Sequence, residues 1–485
     1  MLRIGYYICV PLLSLILYWP GLICWFQKDD FAWLGLYRML HGWGDLPAVL
    51  FTPFAQGTIR TLSERVFYTL FHALFGLNPL PFRVWAFLTF FAALGMLSRV
   101  TAKLTGSRAA GFWAALLWAM NGCMGFALSW TAIYNELLCS LFFLAGIWLL
   151  IRYDETGARR FLIWHWVVYL LGFSVLELNV VYPALAAVYA LCRARRLLWS
   201  IVPMWVPAIL YSVLHMLVAP MQTSGPYKMY WDIRIFSTLW TYWKWALGPS
   251  RLNLVGIYPS PGRSFLTILF TAALVCFLAG QVWKRQWMVL FFPAWFVIIL
   301  APLLPLREHM SDYYLTIPLL GLAMWGAWAL VSAWHGGLPA RAAAITLAVV
   351  YLAVSIPVAR ATAASFFQRG ERIKSAVLGL VDENRKQPGQ RMILQGVDTD
   401  LFWSAFIHRP LRLYGIDDVY LTPESRSGIE GDTESPDARA FFLDPAETRK
   451  SLDNGRARVF DLTGSRVRDV TGQYRAALPY RGALQ

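Results

Sequence analysis

The sequence predicts an α-helical polytopic membrane protein that ends in a small soluble α/β domain. Of its 485 residues, 58% are hydrophobic and only 15% are charged. A soluble protein of this length could not bury so much apolar surface, whereas a bilayer accepts it on the outside of each helix. Aromatic residues make up 16% of the chain, and such rings collect at membrane interfaces.

Apolar stretches that could cross a bilayer fill the chain up to residue 359. A span needs about 20 mostly apolar residues, and about eleven stretches approach that length. We expect the first to be retained as a helix, because it lacks the small-residue cleavage site of a signal peptide. The predicted spans are 4–24, 82–100, 109–126, 135–151, 161–176, 179–192, 198–219, 264–283, 287–304, 313–333 and 341–358.

The character of the sequence changes at Arg360. The residues beyond it have the pattern of a soluble α/β domain, with a strand expected at 391–397 and a helix near 399–407. The sequence therefore predicts two domains, a transmembrane domain at 1–359 and a soluble domain at 360–485.

The net charge of +15 does not indicate nucleic-acid binding. Residues 360–485 hold 19 basic and 17 acidic side chains, which leaves 24 basic and 11 acidic ones in the first 359. The excess belongs to the membrane part, where Lys and Arg orient loops and face anionic lipid. Membrane lipid is the expected partner of this charge, and nucleic acid is excluded.

Short basic loops predict the orientation in the membrane. Five such loops occupy every second connection between the predicted spans, which places all five on the cytoplasmic side. We expect a multi-pass protein of a plasma or inner membrane, with a cytoplasmic N-terminus and an extracytoplasmic C-terminal domain. The basic loops are Arg99/Lys103/Arg108, Arg152/Arg159/Arg160, Arg193/Arg195/Arg196, Lys284/Arg285 and Arg341.

Acidic residues of the membrane part gather at the opposite face. Acids hardly influence topology, so an acid-bearing cavity that opens outward explains this bias better than sorting during insertion. Solvated loop charges are the simpler explanation for Asp45 and Glu64. The outer acids are Asp29, Asp30, Asp45, Glu64, Glu136, Glu177, Asp232, Glu308 and Asp312.

The segment Lys28-Asp29-Asp30-Phe31 follows the first span directly. Two adjacent carboxylates at a membrane boundary are costly unless they are solvated, paired or bound to a cation. One of them could act as a general base, its pKa set by its neighbour and by partial burial. An ordinary polar flank explains the pair equally well.

Four segments in order resemble the glycosyltransferase-C superfamily, multispanning enzymes that use polyprenyl-phosphate-linked sugars. The Asp29-Asp30-Phe31 segment is similar to the acidic motif of the first outer loop. Residues 130–143 (WTAIYNELLCSLFF) resemble a span opening of the protein O-mannosyltransferase relatives. Residues 173–183 are similar to their "SKE…P" turn, with Leu176 in place of the lysine, and residues 307–321 to their "R…YLP…G" segment.

The resemblance implies a glycosyltransferase-C-like fold and a hexosyltransferase with Asp29 as catalytic base and Asp30 as the second candidate. The base would take a proton from an acceptor hydroxyl while that oxygen attacks the anomeric carbon of the sugar. Polyprenyl phosphate would leave, with inversion. The expected partners are a polyprenyl-phosphate-linked sugar and a glycan, lipid or protein acceptor.

The departing phosphate needs cationic donors, ideally a bidentate guanidinium. Arg307, at the outer membrane surface, is the first candidate for this contact, and a snorkelling anchor is the alternative. Lys228, Lys244 and Arg251 are further candidates.

Other outer residues are expected to line the cavity or hold the acceptor. Glu177 ends a span, where an unpaired carboxylate would be expensive, and Glu136 opens another. Glu308, His309 and Asp312 form a compact cluster. If this segment were helical, Glu308 and Asp312 would share one face and suit a divalent cation or a polar acceptor. The sequence leaves a metal requirement open.

Two other functions compete with the enzyme. A transporter or flippase of lipid-linked glycans would also carry polar residues at span ends, but it should show ionisable groups near mid-membrane and related halves. A scaffold whose outer domain binds cell-wall material would have an inert Asp29–Asp30 pair. Acids gathered at one face favour the enzyme, and we expect Asp29, Asp30, Glu177, Glu308 and Arg307 to line one cavity.

Overall fold

The computed structural model describes residues 2–53, 57–219, 225, 227–258, 261–464 and 466–477. The chain forms two compact units. The first contains residues 1–23, 46–67 and 80–366, and the second contains residues 24–45, 68–79 and 367–485. The division of the chain at Arg360 therefore stays a prediction.

The first unit is helical. Its helices are Leu2–Leu22, Leu46–Phe51, Pro79–Thr105, Arg108–Ala119, Met124–Ala127, Tyr134–Thr156, Arg159–Gly172, Tyr182–Arg193, Leu198–Ile201, Trp205–Val218, Ile235–Leu247, Pro261–Trp283, Phe291–Leu300, Pro318–Trp334 and Leu338–Lys386. The last of them reaches residue 386 and so also supplies the first residues of the C-terminal part of the second unit.

Five helical segments of the described chain are long and apolar enough to cross a bilayer: Pro79–Thr105, Thr131–Thr156, Arg195–Val218, Pro261–Trp283 and Leu338–Lys386. Shorter apolar helices occupy Tyr7–Leu22, Trp287–Leu303 and Pro318–Trp334. Helices lie in every predicted span, and the chain is an integral multi-pass protein. The count of eleven crossings stays a prediction, because several of these helices are shorter than a bilayer requires.

Apolar side chains on the surface of the first unit fit a lipid environment. On the helix Trp205–Val218, Val206, Ile209 and Leu217 are more than half exposed. Such a surface would associate in water, whereas lipid tails solvate it. This exposed apolar surface agrees with the membrane location that the composition predicts.

Small residues allow the helices to pack closely. On the helix Pro318–Trp334, a side-chain carbon at Gly321 would come within 2.7 Å of the Trp295 Cβ. A glycine at such a point lets two helices approach. The buried Trp118 indole donates a hydrogen bond to the Thr316 carbonyl at 2.9 Å, which fixes the chain just after the predicted site residues 307–312.

The second unit contains a four-stranded sheet. Strands β1 (Arg391–Gln395), β2 (Val419–Leu421), β3 (Ala457–Asp461) and β4 (Arg468–Asp469) lie in the order β2-β1-β3-β4. β1 pairs in parallel with both β2 and β3, and β4 is antiparallel to β3. The helices of this unit include Asp30–Leu34, Phe67–Phe75, Thr399–Ser404, Pro436–Arg439, Pro445–Asp453 and Thr471–Ala477.

The core of the sheet is apolar. Ile393 on β1 and Val459 on β3 are adjacent in register and fully buried, and Leu452 of the helix Pro445–Asp453 packs against them. A central parallel strand is buried on both faces, which explains the continuous apolar run Met392–Leu394. The strand and the helix that the sequence predicts near 391–407 are both present.

Candidate active site

Asp30 is a structural carboxylate of the loop after the first helix. It is fully buried, and its two oxygens are both used within the second unit. Oδ2 accepts the Gln27 backbone N–H at 3.0 Å, and Oδ1 accepts the Tyr68 hydroxyl at 2.8 Å. A buried carboxylate that receives two hydrogen bonds fixes its surroundings. Asp30 therefore holds the loop in shape.

Asp29 is placed differently. It stands at the N-cap of the helix Asp30–Leu34, yet its side chain makes no capping hydrogen bond and is 50% exposed. The imidazole of His408 lies beside it, with Nε2 3.5 Å from Asp29 Oδ1. The carboxylate is thus available to a molecule from outside.

The backbone next to Asp29 is fixed as well. Lys28 has a positive φ of 55°, and its N–H donates to the Ser404 carbonyl at 2.6 Å. Burial and the nearby Arg369 guanidinium lower the pKa of the Lys28 ammonium, although Asp29, Asp400 and Asp30 oppose the shift. A strained backbone that persists at this point is held there by its surroundings.

A second group of ionisable residues lies in the first unit, around Arg60. Arg60 Nε is 3.0 Å and 2.8 Å from the two oxygens of Glu177, and Nη1 is 2.6 Å from Glu64 Oε1. Glu64 is only 1% exposed, so the expectation of a solvated loop charge was wrong. Burial alone would lower the pKa of Arg60, but Glu177 and Glu64 together raise it.

Glu136 and Asn135 complete this Arg60 cluster. The Asn135 amide donates to Glu64 Oε1 at 3.3 Å. Glu136 is 2% exposed, and its Oε2 is buried without a hydrogen-bond partner among the residues described. A buried carboxyl oxygen is costly to leave unbonded, so this atom could accept a ligand hydroxyl if the cluster opened. The structure brings the predicted residues Glu136 and Glu177 into one cluster.

A cationic surface of the first unit is built around Tyr230. The Arg307 guanidinium lies 3.8 Å from the centre of the Tyr230 ring, and the Lys228 ammonium lies 5.0 Å from it. Arg307 is 3.8 Å from Asp232 and 3.9 Å from Glu308, longer than a hydrogen bond. Stacking thus holds the guanidinium while neither carboxylate engages its donors closely.

Glu308 and Asp312 are arranged differently from what the sequence predicts. Glu308 Oε1 accepts the Tyr230 hydroxyl at 2.7 Å and lies in a turn, not in a helix. Asp312 begins a 3-10 turn, Asp312–Leu315, and forms a buried ion pair with Arg251. Glu308 and Asp312 therefore do not share a helical face, because the chain remains irregular between them.

The remaining candidate residues differ in whether other side chains bind them. Arg251 is bound to Asp312 and lies 4.6 Å from the Trp245 ring, which leaves it less suited to a phosphate than Arg307. Lys244, on the helix Ile235–Leu247, forms no ion pair with any described residue. The His309 ring packs against the Tyr227 ring, with the centroids 4.3 Å apart and the planes tilted by 39°.

No metal centre is evident in the described part of the chain. Within those residues, no three side chains of His, Cys, Asp or Glu lie close enough together to hold a metal ion. The predicted cluster Glu308, His309 and Asp312 is drawn apart by its separate partners, Tyr230, Tyr227 and Arg251.

Several residues of these sites, such as Arg60, Tyr68 and His408, were not singled out from the sequence. Arg60 stands four residues before Glu64, a spacing that was a usable signal for an ion pair. Tyr68 and His408 gave no such signal, because they reach Asp30 and Asp29 only through tertiary folding. Asp29 and Asp30 belong to the second unit and the other candidates to the first, so the single cavity stays a prediction.

Comparison with known proteins identifies the architecture. No family model and no curated protein matches the sequence. The structure resembles the apo crystal structure of the Archaeoglobus fulgidus oligosaccharyltransferase, with a TM-score of 0.50 and 11% identity over 94% of this chain and 69% of that chain. At this identity the likeness is one of fold.

Crystal structures of ArnT from Cupriavidus metallidurans give lower scores. The structure bound to undecaprenyl phosphate has a TM-score of 0.46 and 13% identity, over 94% of this chain and 93% of that chain. The apo structure has the same score and identity, over 95% of this chain.

Proposed function

Because the chain has the glycosyltransferase-C fold, we propose that it is a membrane glycosyltransferase that moves a sugar from a polyprenyl-phosphate donor to an acceptor hydroxyl outside the cytoplasm. Asp29 is the general base. The four sequence segments that resemble this superfamily support the donor class, and the fold supports the enzyme class.

The observation that carries the proposal is the different environment of two adjacent carboxylates. Asp30 is buried and bound on both oxygens, so it cannot reach an acceptor without breaking the loop. Asp29 is half exposed and is not used to cap its helix. A general base must reach the proton that it removes, and of the two only Asp29 meets this condition.

The proposed reaction is a direct displacement at the anomeric carbon of the sugar. An Asp29 oxygen takes the proton of the acceptor hydroxyl, and the acceptor oxygen forms its bond to the anomeric carbon of the sugar. The bond from that carbon to the phosphate oxygen breaks, and polyprenyl phosphate leaves as an anion. Inversion follows from direct displacement.

Charge develops on the leaving phosphate, and a preorganised cation lowers the barrier. Arg307 suits this role best, because Tyr230 holds its guanidinium while both neighbouring carboxylates stay beyond hydrogen-bond distance. Lys228 adds a second cation to the same surface. Arg251 is less suited, because it is bound to Asp312.

The Arg60 cluster supplies polar contacts for a hydroxyl-rich substrate. Glu177 is partly exposed at 22% of its side-chain surface and can accept a sugar hydroxyl directly, whereas the buried oxygen of Glu136 could do so only if the cluster opened. Charge-assisted hydrogen bonds to sugar hydroxyls are the strong kind. We therefore propose that Glu177 and Glu136 contribute to substrate binding.

The test compares two substitutions of equal size at adjacent positions. Asp29→Asn removes proton acceptance and should lower transfer from a polyprenyl-phosphate sugar by about 10²–10⁴-fold, with donor binding little changed. Asp30→Asn should act through loop stability, lowering the melting temperature of the purified protein together with activity. Full transfer by Asp29→Asn at normal protein level would remove the base from the proposal.

A further inference from the structure

A basic side chain from a distant part of the chain lies beside Asp29. His408 closes the 3-10 turn Phe406–His408, and its Nε2 lies 3.5 Å from Asp29 Oδ1. The imidazole is 23% exposed, so it is largely shielded while the carboxylate is half open. No sequence motif links these two positions, which are 379 residues apart.

The contact is built into the backbone. The Lys28 N–H donates to the Ser404 carbonyl at 2.6 Å, one residue before Asp29 and four before His408. Arg409 follows with a positive φ of 51°, and its guanidinium turns to the Phe441 ring at 4.7 Å. The two side chains are therefore held together by fixed main chain on both sides.

Further contacts join the loop 24–45 to the C-terminal segment of the same unit. Arg38 Nη1 donates to the Arg412 carbonyl at 2.6 Å and lies 3.3 Å from Asp417. At Gly370, a side-chain carbon would come within 3.1 Å of Cys24 Sγ. The loop that carries Asp29 is thus packed on residues 367–417 and not independent of them.

Burial favours the neutral form of His408. Burial lowers the pKa of the imidazole, the Lys28 ammonium lowers it further, and Asp29 raises it. Arg369 and Asp400 also surround Lys28 and pair with each other at 2.9 Å. A neutral imidazole leaves the Asp29 carboxylate able to accept a proton, whereas an imidazolium would form an ion pair with it.

We propose that His408 is a positioning residue for Asp29, through which the C-terminal segment takes part in the transfer reaction; this rests on the proposed role of Asp29 as the base. The imidazole fixes the carboxylate toward the acceptor and keeps it unpaired at neutral pH. When acid protonates His408, the new cation binds the carboxylate and the base is weakened. The C-terminal segment is then a working part of the active site.

The experiment measures transfer as a function of pH for the full-length protein in detergent. His408→Gln keeps a hydrogen-bond donor but does not titrate, and it should lower kcat roughly tenfold through loss of positioning, with a smaller effect on donor KM. The fall of activity on the acid side should move to lower pH in the variant, because the imidazolium no longer forms. His408→Asn serves as a second variant if His408→Gln does not fold.

The matched control is His41→Gln. His41 also lies beside a carboxylate, 3.8 Å from Asp45, but its side chain is 83% exposed. We expect its rate and pH profile to match the unaltered protein.

The outcomes separate the two proposals. An unchanged rate and pH profile in His408→Gln, with Asp29→Asn inactive, would overturn the role of His408 alone. A lower rate with an unshifted pH profile would mean that His408 is merely structural, which also overturns it. Full activity in Asp29→Asn would instead overturn the proposed base.

Discussion

Removal of the Arg60 guanidinium should destabilise the protein strongly. The Arg60 side chain is 22% exposed and binds two carboxylates. The side chain of Glu64 is 2% exposed and that of Glu177 is 22% exposed. Breaking a buried ion pair by deleting one partner costs about 3–5 kcal/mol, because the other charge stays buried. Arg60→Met leaves the buried Glu64 and the partly buried Glu177 without this partner, so we expect a loss within that range.

The loss should depend on pH in a defined direction. Burial raises the pKa of Glu64 even beside Arg60, and without Arg60 the pKa should rise further. A carboxyl whose pKa is raised by folding destabilises the protein increasingly as pH rises through that pKa. Arg60→Met should therefore melt closer to the unaltered protein at pH 5 than at pH 8, with the melting temperature measured in detergent.

A surface arginine provides the control for this substitution. Arg385 pairs with Asp382 at 3.1 Å, and the two side chains are 74% and 65% exposed. Exposed pairs of this kind contribute about 0–1 kcal/mol, so Arg385→Met should change little. If Arg60→Met melts like Arg385→Met at pH 8, the Arg60 cluster does not carry the charge assigned to it.

Three further predictions test the topology, the phosphate contact of Arg307 and the structural role of Asp30. Alkaline phosphatase fused after residue 485 should be active and green fluorescent protein fused there dark, because the basic loops predict a C-terminal domain outside the cytoplasm. The reverse result would invert the predicted topology. Arg307→Ala should weaken donor affinity and turnover together. Arg307→Lys should recover part of both, because lysine restores the charge without the planar guanidinium. An unchanged donor KM in Arg307→Ala would mean that the phosphate binds elsewhere. Tyr68→Phe removes one hydrogen bond from buried Asp30 and should cost about 1.5–3 kcal/mol by thermal unfolding; an unchanged melting temperature would contradict the structural role of Asp30.

The membrane character and the fold were predictable because they depend on composition. Apolar stretches must be helical in a bilayer, since every backbone polar group needs an internal partner there. Helices accordingly lie in each predicted segment, such as Pro261–Trp283 and Leu338–Lys386. Helix ends were less predictable, because Leu338–Lys386 continues far beyond the apolar run that marked its start.

The site was predictable only where charge stood in an unusual place. Asp29 and Asp30 stood out as adjacent acids at a membrane boundary, but their different environments depend on Tyr68, Gln27 and His408. These partners approach through tertiary folding, which sequence spacing does not encode. The choice of Asp29 over Asp30 as the proposed base therefore depended on the structure.

Errors in the sequence-based interpretation arose where local spacing was read without tertiary contacts. Glu64 was interpreted as a solvated charge, yet Arg60 and Asn135 bind it in a buried position. Glu308 and Asp312 have helical spacing, but the separate partners Tyr230 and Arg251 draw them apart. In both cases a buried partner outweighed the local pattern.

The central claim is tested most directly by following a labelled polyprenyl-phosphate sugar in vesicles that contain the purified protein. The proposed enzyme predicts that the label leaves the lipid, that free polyprenyl phosphate appears in equal amount, and that both products depend on Asp29. The sugar should be attached to an acceptor hydroxyl with inverted anomeric configuration. If the labelled lipid instead crosses the bilayer intact and no polyprenyl phosphate is released, the chain is a transporter and the account is contradicted.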